Sequence, residues 1–326
     1  MKAAITTRYG GPEAMIVGDV PDPVCGPGDM IVRALAATVD SGDARVRAMR
    51  MPPGFGLAAR LAFGISKPRQ PILGTVVCGE VVRLGPGITR HGIRDRIIAS
   101  TGLRFGAHAE LVRISAREPV AAMPPGFNAE EAAALVFGGM TALHYVRDVA
   151  RVSAGDRVLV HGASGSVGTA AVQIARHLGA DVDGVCRGTN AALVRSLGAA
   201  RVIDYTRVDP AGELDRYDVV LDTVGGRSFA DWRGVLRFGG RCAFVAAGWR
   251  EFATAVRTRR SDRRALAGVA PESEENLREI ARLAEIGALR PVIDSVYGLT
   301  DIAKAHARVD SNRKVGSVVV RFTPQA

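Results

Sequence analysis

Val158-Leu159-Val160-His161-Gly162-Ala163-Ser164-Gly165-Ser166-Val167-Gly168 decides how the chain is read. Its three leading apolar residues predict a buried strand. A glycine-rich turn follows, and Thr169-Ala170-Ala171-Val172-Gln173-Ile174-Ala175-Arg176-His177-Leu178 predicts a helix. Strand, glycine turn and helix N-terminus in that order are what a dinucleotide pyrophosphate needs. The first glycines make the turn and let the backbone approach the phosphates, and free N–H groups at the helix start face the anion. The spacing Gly162, Gly165, Gly168 is not the strict G-x-G-x-x-G fingerprint, and a tight strand-to-helix turn without a ligand is the plainer alternative. The context favours the cofactor. A second strand-like run, Ala180 to Cys186, follows the Gly179 stop and completes a βαβ unit of the expected ~30 residues.

The chain has 326 residues, enough for two domains, and its 47% apolar content is that of a globular protein. No run approaches the ~18 apolar residues of a membrane span. Met1-Lys2-Ala3-Ala4-Ile5 lacks the basic-then-apolar layout of a signal peptide, so a soluble cytoplasmic protein is expected. Cys25, Cys78, Cys186 and Cys242 lie far apart, with no C-x-x-C and no histidine at metal-ligand spacing; neither disulfides nor a zinc knuckle are expected. The net charge of +10 raises the question of nucleic acid. Four of the basic residues are lysines and 39 are arginines scattered along the chain, the mark of a GC-rich genome rather than of an electrostatic footprint. The one dense cluster, Arg257, Arg259, Arg260, Arg263 and Arg264, reads as a solvated stretch. Nucleic-acid and membrane partners are therefore not expected.

Residues 1 to about 120 read as a β-rich unit, a small barrel or sandwich, with short runs between Gly/Pro turns such as Gly26-Pro27-Gly28 and Gly85-Pro86-Gly87. Met49 to Gln70 interrupts it with Pro52-Pro53-Gly54 and an apolar segment, Leu57 to Phe63, which suits either a wall of a substrate cleft or a packing helix. Asn128 caps a helix from Ala129 to Leu135 with Glu131 at the capping-box position; a second helix, Met140 to Val149, is expected after Phe137-Gly138-Gly139. Beyond the glycine turn, helices at Asn190–Leu197 and Ser228–Leu236 alternate with strands at Arg201–Tyr205, Tyr217–Asp222 and Arg241–Ala246, the pattern of a doubly wound parallel sheet. Arg264–Val269 is one further strand. A helix from Ser273 to Ile286, the run Pro291-Val292-Ile293, a helix from Asp301 to Val309 and a strand within Val315–Phe322 close the chain.

Over its whole length the sequence resembles the medium-chain dehydrogenase/reductase superfamily. The marks are Met1-Lys2-Ala3-Ala4 to Tyr9-Gly10-Gly11-Pro12-Glu13, Pro71-Ile72-Leu73-Gly74 before Gly79-Glu80-Val81, the glycine turn, Leu197-Gly198-Ala199 to Asp204-Tyr205, Asp222-Thr223-Val224-Gly225-Gly226, and Gly316-Ser317-Val318-Val319. The resemblance implies an α/β fold: a GroES-like catalytic domain from residues 1–123 and 290–326, and a Rossmann domain over 124–289. Zinc dehydrogenases of this family carry a Cys after the first barrel strands and Gly-His-Glu where this chain reads Leu73-Gly74-Thr75. Here Ala37-Thr38-Val39-Asp40-Ser41-Gly42-Asp43 has no Cys, and the four-cysteine lobe is absent. The chain is similar to the zinc-free, quinone-oxidoreductase-like branch, so no metal is expected. Without a Lewis acid, hydride addition to an already polarised acceptor is favoured over alcohol–aldehyde interconversion.

Two residues give opposite indications for the cofactor. Asp183 lies about 20 residues beyond Gly162, as an acid on an NAD ribose would. At the strand end itself stand Arg187, Thr189 and Asn190 and no acid, which suits the 2′-phosphate of NADPH, with Gly188 displacing the arginine from its usual place. NADPH is expected, with NADH the alternative. The turn residues Gly162, Ala163, Ser164, Gly165, Ser166, Val167 and Gly168 would hold the pyrophosphate. By resemblance Tyr205 and Thr223 border the cofactor, and Thr141 and the backbone at Val245 and Ala246 border its nicotinamide. Asp40 and Asp43 are the candidate catalytic acids, as positioning or relay groups, with a loop-capping pair as the alternative. Three readings follow: an NADPH-dependent reductase of a small electrophilic acceptor (a quinone, enone or enoyl group), an NADP-dependent carbonyl or alcohol dehydrogenase, and a non-catalytic NADPH-binding protein. The resemblance also implies a homodimer joined along Arg264–Val269.

Overall fold

The computed structural model describes residues 1–52, 54–212 and 216–322. Pro53 and residues 323–326, both within stretches read above, lie outside the described residues.

The chain opens with β1 (Lys2–Thr6) and β2 (Met15–Asp19), an antiparallel pair. Then come β3 (Asp29–Val39), α1 (Ser41–Ala48), α2 (Gly56–Phe63), β4 (Val76–Leu84), β5 (Arg96–Ser100), β6 (Leu111–Ser115) and β7 (Val120–Ala122). After α3 (Ala129–Leu143) a parallel region begins: β8 (Arg157–His161), α4 (Ser166–His177), β9 (Asp181–Cys186), α5 (Ala191–Ser196), β10 (Arg201–Asp204), β11 (Tyr217–Asp222), α6 (Phe229–Arg233), β12 (Leu236–Phe244), α7 (Trp249–Thr258), β13 (Arg264–Ala267) and α8 (Glu274–Glu285). The end returns as β14 (Ile293–Gly298), α9 (Ile302–Asp310) and β15 (Ser317–Arg321).

Six strands form one parallel sheet in the order β10-β9-β8-β11-β12-β13. That is the doubly wound Rossmann order, with β8 first in the chain and the order reversing between β8 and β11. Both faces are buried, which explains the near-continuous apolar runs. Val158, Val160, Val219 and Leu221 pack on one face, while Leu159, Val220, Trp232 and Phe244 pack on the other. The second large sheet runs β14-β15-β3-β4-β5-β7, with β6 also paired to β3. Both chain ends meet in it, because β15 lies antiparallel to β3 with Val318 opposite Val39.

The two helices expected around Gly138-Gly139 are one. α3 runs through both glycines and ends in a wider π turn, His144–Val149. The glycines serve close packing rather than a break. A Cβ on Gly138 would stand 2.5 Å from the Ser166 carbonyl oxygen, and one on Gly139 3.0 Å from the Ile280 side chain. α3 thereby lies against α4 and α8 on one side and β3, β4, β5 and β15 on the other. Its start is as expected: Asn128 accepts from Glu131 N–H at 2.9 Å and Glu131 accepts in return from Asn128 N–H at 3.0 Å. Other boundaries differ. α6 stops at Arg233 and Leu236 already belongs to β12, because Leu236 pairs with Tyr217 and is fully buried. The run at Pro291 becomes a strand only from Ile293, where pairing with Ser317 begins.

Candidate active site

The glycine turn follows β8, and its conformation explains its glycines. Gly162 has φ +84°, and a Cβ there would meet Thr223 Oγ1 at 2.6 Å and Val224 Cγ2 at 2.5 Å. A Cβ on Gly168 would stand 2.0 Å from the Gly162 carbonyl oxygen, so this residue lets α4 sit directly on the turn. Gly165 is different: nothing lies nearer than 3.5 Å to a Cβ there, and the residue faces the cleft. Gly162 and Ala163 N–H groups are spent on the Val185 carbonyl, at 3.1 and 3.0 Å. Gly165 caps α4, whose first turn carries no acidic side chain, so its positive end is left for an external anion.

A cleft of about 870 Å³ opens over this turn. Of the residues singled out in the sequence, Gly162, Ser164, Gly165, Ser166, Val167, Arg187, Thr189, Asn190, Tyr205 and Thr223 line it. Ala163 and Gly168 do not; both belong to the turn, Ala163 fully buried and Gly168 under the Gly162 carbonyl. Thr141, Val245 and Ala246 are half-buried and also lie off its walls.

At the far end, Arg187 is exposed and has no hydrogen-bond or ion-pair partner among the described residues. Gly188 follows it because a Cβ would stand 2.4 Å from Asp204 Oδ2. The Asp204 carboxylate is turned to its own loop, taking Thr206 N–H at 3.0 Å and the Thr206 hydroxyl at 2.8 Å. Asn190 donates to Ser164 Oγ at 3.3 Å and ties this loop to the glycine turn. Asp183, the residue that pointed to NAD, does not reach the cleft. It is buried in mid-strand and accepts from the Tyr217 hydroxyl at 2.7 Å.

Asp40 and Asp43 sit at the start of α1, both buried and both off the cleft walls. Asp43 takes Asp40 N–H at 2.9 Å and Gly74 N–H at 3.2 Å, which makes it a cap for the loop and for the neighbouring turn. Asp40 Oδ2 accepts from the Thr38 hydroxyl at 2.6 Å, while Oδ1 has no partner. Burial pushes both carboxyls up, and the Asp43 charge adds to the rise at Asp40. Beside them His108 is fully buried, donates from Nε2 to the Thr38 carbonyl at 2.9 Å, and is pushed down to about 4 by burial. Gly74 is needed there: its φ is +89° and a Cβ would stand 2.4 Å from the His108 ring. Thus the two segments compared above with the zinc-ligand stretches of a zinc dehydrogenase hold a capping carboxylate and a glycine packed under an imidazole. Among the described residues no group of three or more His, Cys, Asp or Glu side chains is placed to hold a metal ion.

Beyond Ser41, in the loop that resemblance places beside the nicotinamide, one wall was not legible in the sequence. α1 presents Ser41, Ala44 and Arg45 to the cleft, and the segment from Arg308 to Val315 supplies Arg313 and Lys314. Arg45 and Arg313 have no ion-pair partner among the described residues. Only the pairing of β15 with β3 and a bridge between Gly165 and Gly316 bring that segment to the turn, a link across some 150 residues that no local pattern reveals. Phe55 meets Phe252 edge-on with centroids 6.3 Å apart, and Gly54 lies against Trp249. The Met49–Gln70 excursion is therefore a short helix, α2, joined to the start of α7, and Arg50 is its one residue on the cleft wall.

A model of the zinc-binding dehydrogenase family matches residues 197–320. The chain is 29% identical over 329 residues to a quinone oxidoreductase of Pseudomonas aeruginosa, covering 96% of this chain and 97% of that one. It is 28% identical to a trans-enoyl reductase of Aspergillus terreus, over 91% of this chain and 87% of the relative. A solved quinone oxidoreductase of Coxiella burnetii superposes with a TM-score of 0.88 at 26% identity, covering 99% of both chains. The chain belongs to the medium-chain dehydrogenase/reductase superfamily. It is a quinone-oxidoreductase-like member and an oxidoreductase. The superfamily also occurs inside larger proteins: the chain is 31% identical over 308 residues to polyketide synthase GfsB of Streptomyces halstedii but spans 5% of its length. Membership implies a nicotinamide cofactor, and the glycine turn with the open α4 N-terminus fits the pyrophosphate of such a group.

Proposed function

We propose that the protein is an NADPH-dependent reductase that delivers hydride to a quinone, enone or enoyl acceptor without zinc. The observation that carries this reading is the make-up of the cleft. An open anion cradle at the α4 N-terminus is continuous with Arg187, unpartnered among the described residues, at the ribose end, while the two segments that correspond by resemblance to the family's zinc-ligand stretches, Ala37–Asp43 and Leu73–Thr75, offer neither Cys nor His.

The backbone of the glycine turn and the first turn of α4 would hold the pyrophosphate. Arg187, with Thr189, would take the 2′-phosphate by charge-assisted hydrogen bonds, and Tyr205 would border the adenosine. Bound NADPH supplies the hydride. On the other wall Ser41 and Arg45 face the space left for the acceptor. The Arg45 cation, which no carboxylate neutralises, suits the oxygen on which negative charge develops as an enone or quinone is reduced, the place a metal would otherwise take. Asp40 is buried off the cleft walls, and that burial, with the Asp43 charge beside it, raises its carboxyl to about 7. Among the described residues no helix is long and apolar enough to cross a membrane, consistent with a cytoplasmic enzyme. β13 is a sheet edge, and a homodimer pairing these edges would run at twice the chain mass on gel filtration.

The test is the absorbance of NADPH at a fixed enzyme concentration with a quinone, an enone, an enoyl thioester, an aldehyde or no acceptor. Oxidation is expected with one of the first three. Oxidation with the aldehyde alone makes the protein a carbonyl reductase, and tight NADPH binding without turnover on any acceptor makes it a non-catalytic binder; either overturns the proposal.

A further inference from the structure

Lys314 stands on the wall of the cleft that belongs to the second, mixed sheet, in the segment between α9 and β15. Its backbone is stitched to the glycine turn. Gly316 N–H donates to the Ser164 carbonyl at 2.9 Å, and Gly165 and Gly316 form a parallel bridge. Gly316 has φ +81° and a Cβ there would stand 2.1 Å from the Val292 carbonyl oxygen, so the segment cannot slide. Below it Ser317 Oγ meets Ser166 Oγ at 2.9 Å and the Ala134 carbonyl at 3.1 Å, locking α4, α3 and β15 together.

The Lys314 ammonium is thus held beside the cradle, half-buried, donating to the Gly316 carbonyl at 2.8 Å. It has no ion pair among the described residues. The charged groups that face it are Asp40 from the end of β3, Asp294 on β14 and Arg308 on α9. Asp294 is already held by Arg308 at 2.7 and 2.6 Å, and Asp40 is a buried carboxyl that resists ionisation. A cation removed from water without a counter-ion is costly to the apo protein and pays back only when an anion arrives. The one place built for an anion within this neighbourhood is the glycine turn to which the lysine's own segment is bonded.

We propose that Lys314 is the cation by which the mixed-sheet side grips the dinucleotide pyrophosphate, closing the cradle opposite the α4 N-terminus. This rests on the cofactor reading above but not on its preference for NADPH, since NADH carries the same pyrophosphate. The test is calorimetric titration of the full chain and of Lys314→Met with NADPH, NADH and 2′-AMP, which lacks the pyrophosphate. K314M should bind both dinucleotides about tenfold or more weakly, with a smaller dependence on salt, and 2′-AMP as the wild type does. Unchanged dinucleotide affinity, or an equal loss for 2′-AMP, overturns the proposal. If the wild type binds NADH as tightly as NADPH, the 2′-phosphate reading fails while Lys314 is still judged by K314M. If it binds neither dinucleotide, both fall.

Discussion

Arg187 and Asp183 show where residue-level reading stops. Both stood at a plausible distance from the glycine turn, and one-dimensional spacing left both cofactors open. What spacing could not show is the Tyr217 hydroxyl on Asp183, from a strand 34 residues away, which holds that acid in a structural role. Arg187→Ala is expected to raise the KM for NADPH about tenfold or more and that for NADH little, as loss of a charge-assisted contact to a 2′-phosphate requires. Steady-state kinetics with both cofactors checks this, and equal effects contradict it. Asp40 gives a stability prediction. Its folded value is raised to about 7 from 3.8, so the folded state binds the proton more tightly than the unfolded one. Its contribution is full below about pH 4 and is lost as pH rises through about 7. Asp40→Asn keeps an acceptor for the Thr38 hydroxyl and removes the charge. Its melting temperature should exceed that of the wild type at pH 8, with the gap closing toward pH 4.5; a gap that does not change with pH contradicts the account.

At the scale of elements, the strand–helix alternation was legible because the central parallel strands carry short apolar runs, Val158–Val160 in β8 and Val219–Leu221 in β11, each followed within a few residues by glycine. The glycines inside α3 were not legible as packing glycines, because their meaning lies in Ser166 and Ile280, which other helices bring to them. The same distinction separates two glycines of the turn. Gly168→Ala pushes a Cβ into the Gly162 carbonyl and should destabilise the protein by roughly 2–3 kcal/mol, read as a lower denaturation midpoint. Gly165→Ala meets only an ordinary contact, so it should fold with a loss of about 1 kcal/mol or less yet bind NADPH more weakly, because its Cβ projects into the cleft. Equal stability losses for the two variants would mean that the turn is not packed as described.

For the whole molecule, the sequence pattern disclosed two kinds of sheet but not how they meet. The cleft exists because α3 packs between the helices α4 and α8 on one side and the second sheet on the other, and because the chain end returns to pair β15 with β3. That return places Arg313 and Lys314 across from a turn formed about 150 residues earlier, so half of the candidate site was invisible to local spacing. It also places basic side chains of a chain with net charge +10 around a site for a polyanion, which favours binding of an anionic cofactor over distance as well as at contact. The cleft as proposed supports hydride delivery without a metal. The most direct measurement is NADPH oxidation in the presence of an enone or quinone by enzyme dialysed against a strong chelator. The account predicts undiminished oxidation by the metal-stripped protein; oxidation that disappears on chelation and returns only when zinc is added would contradict it.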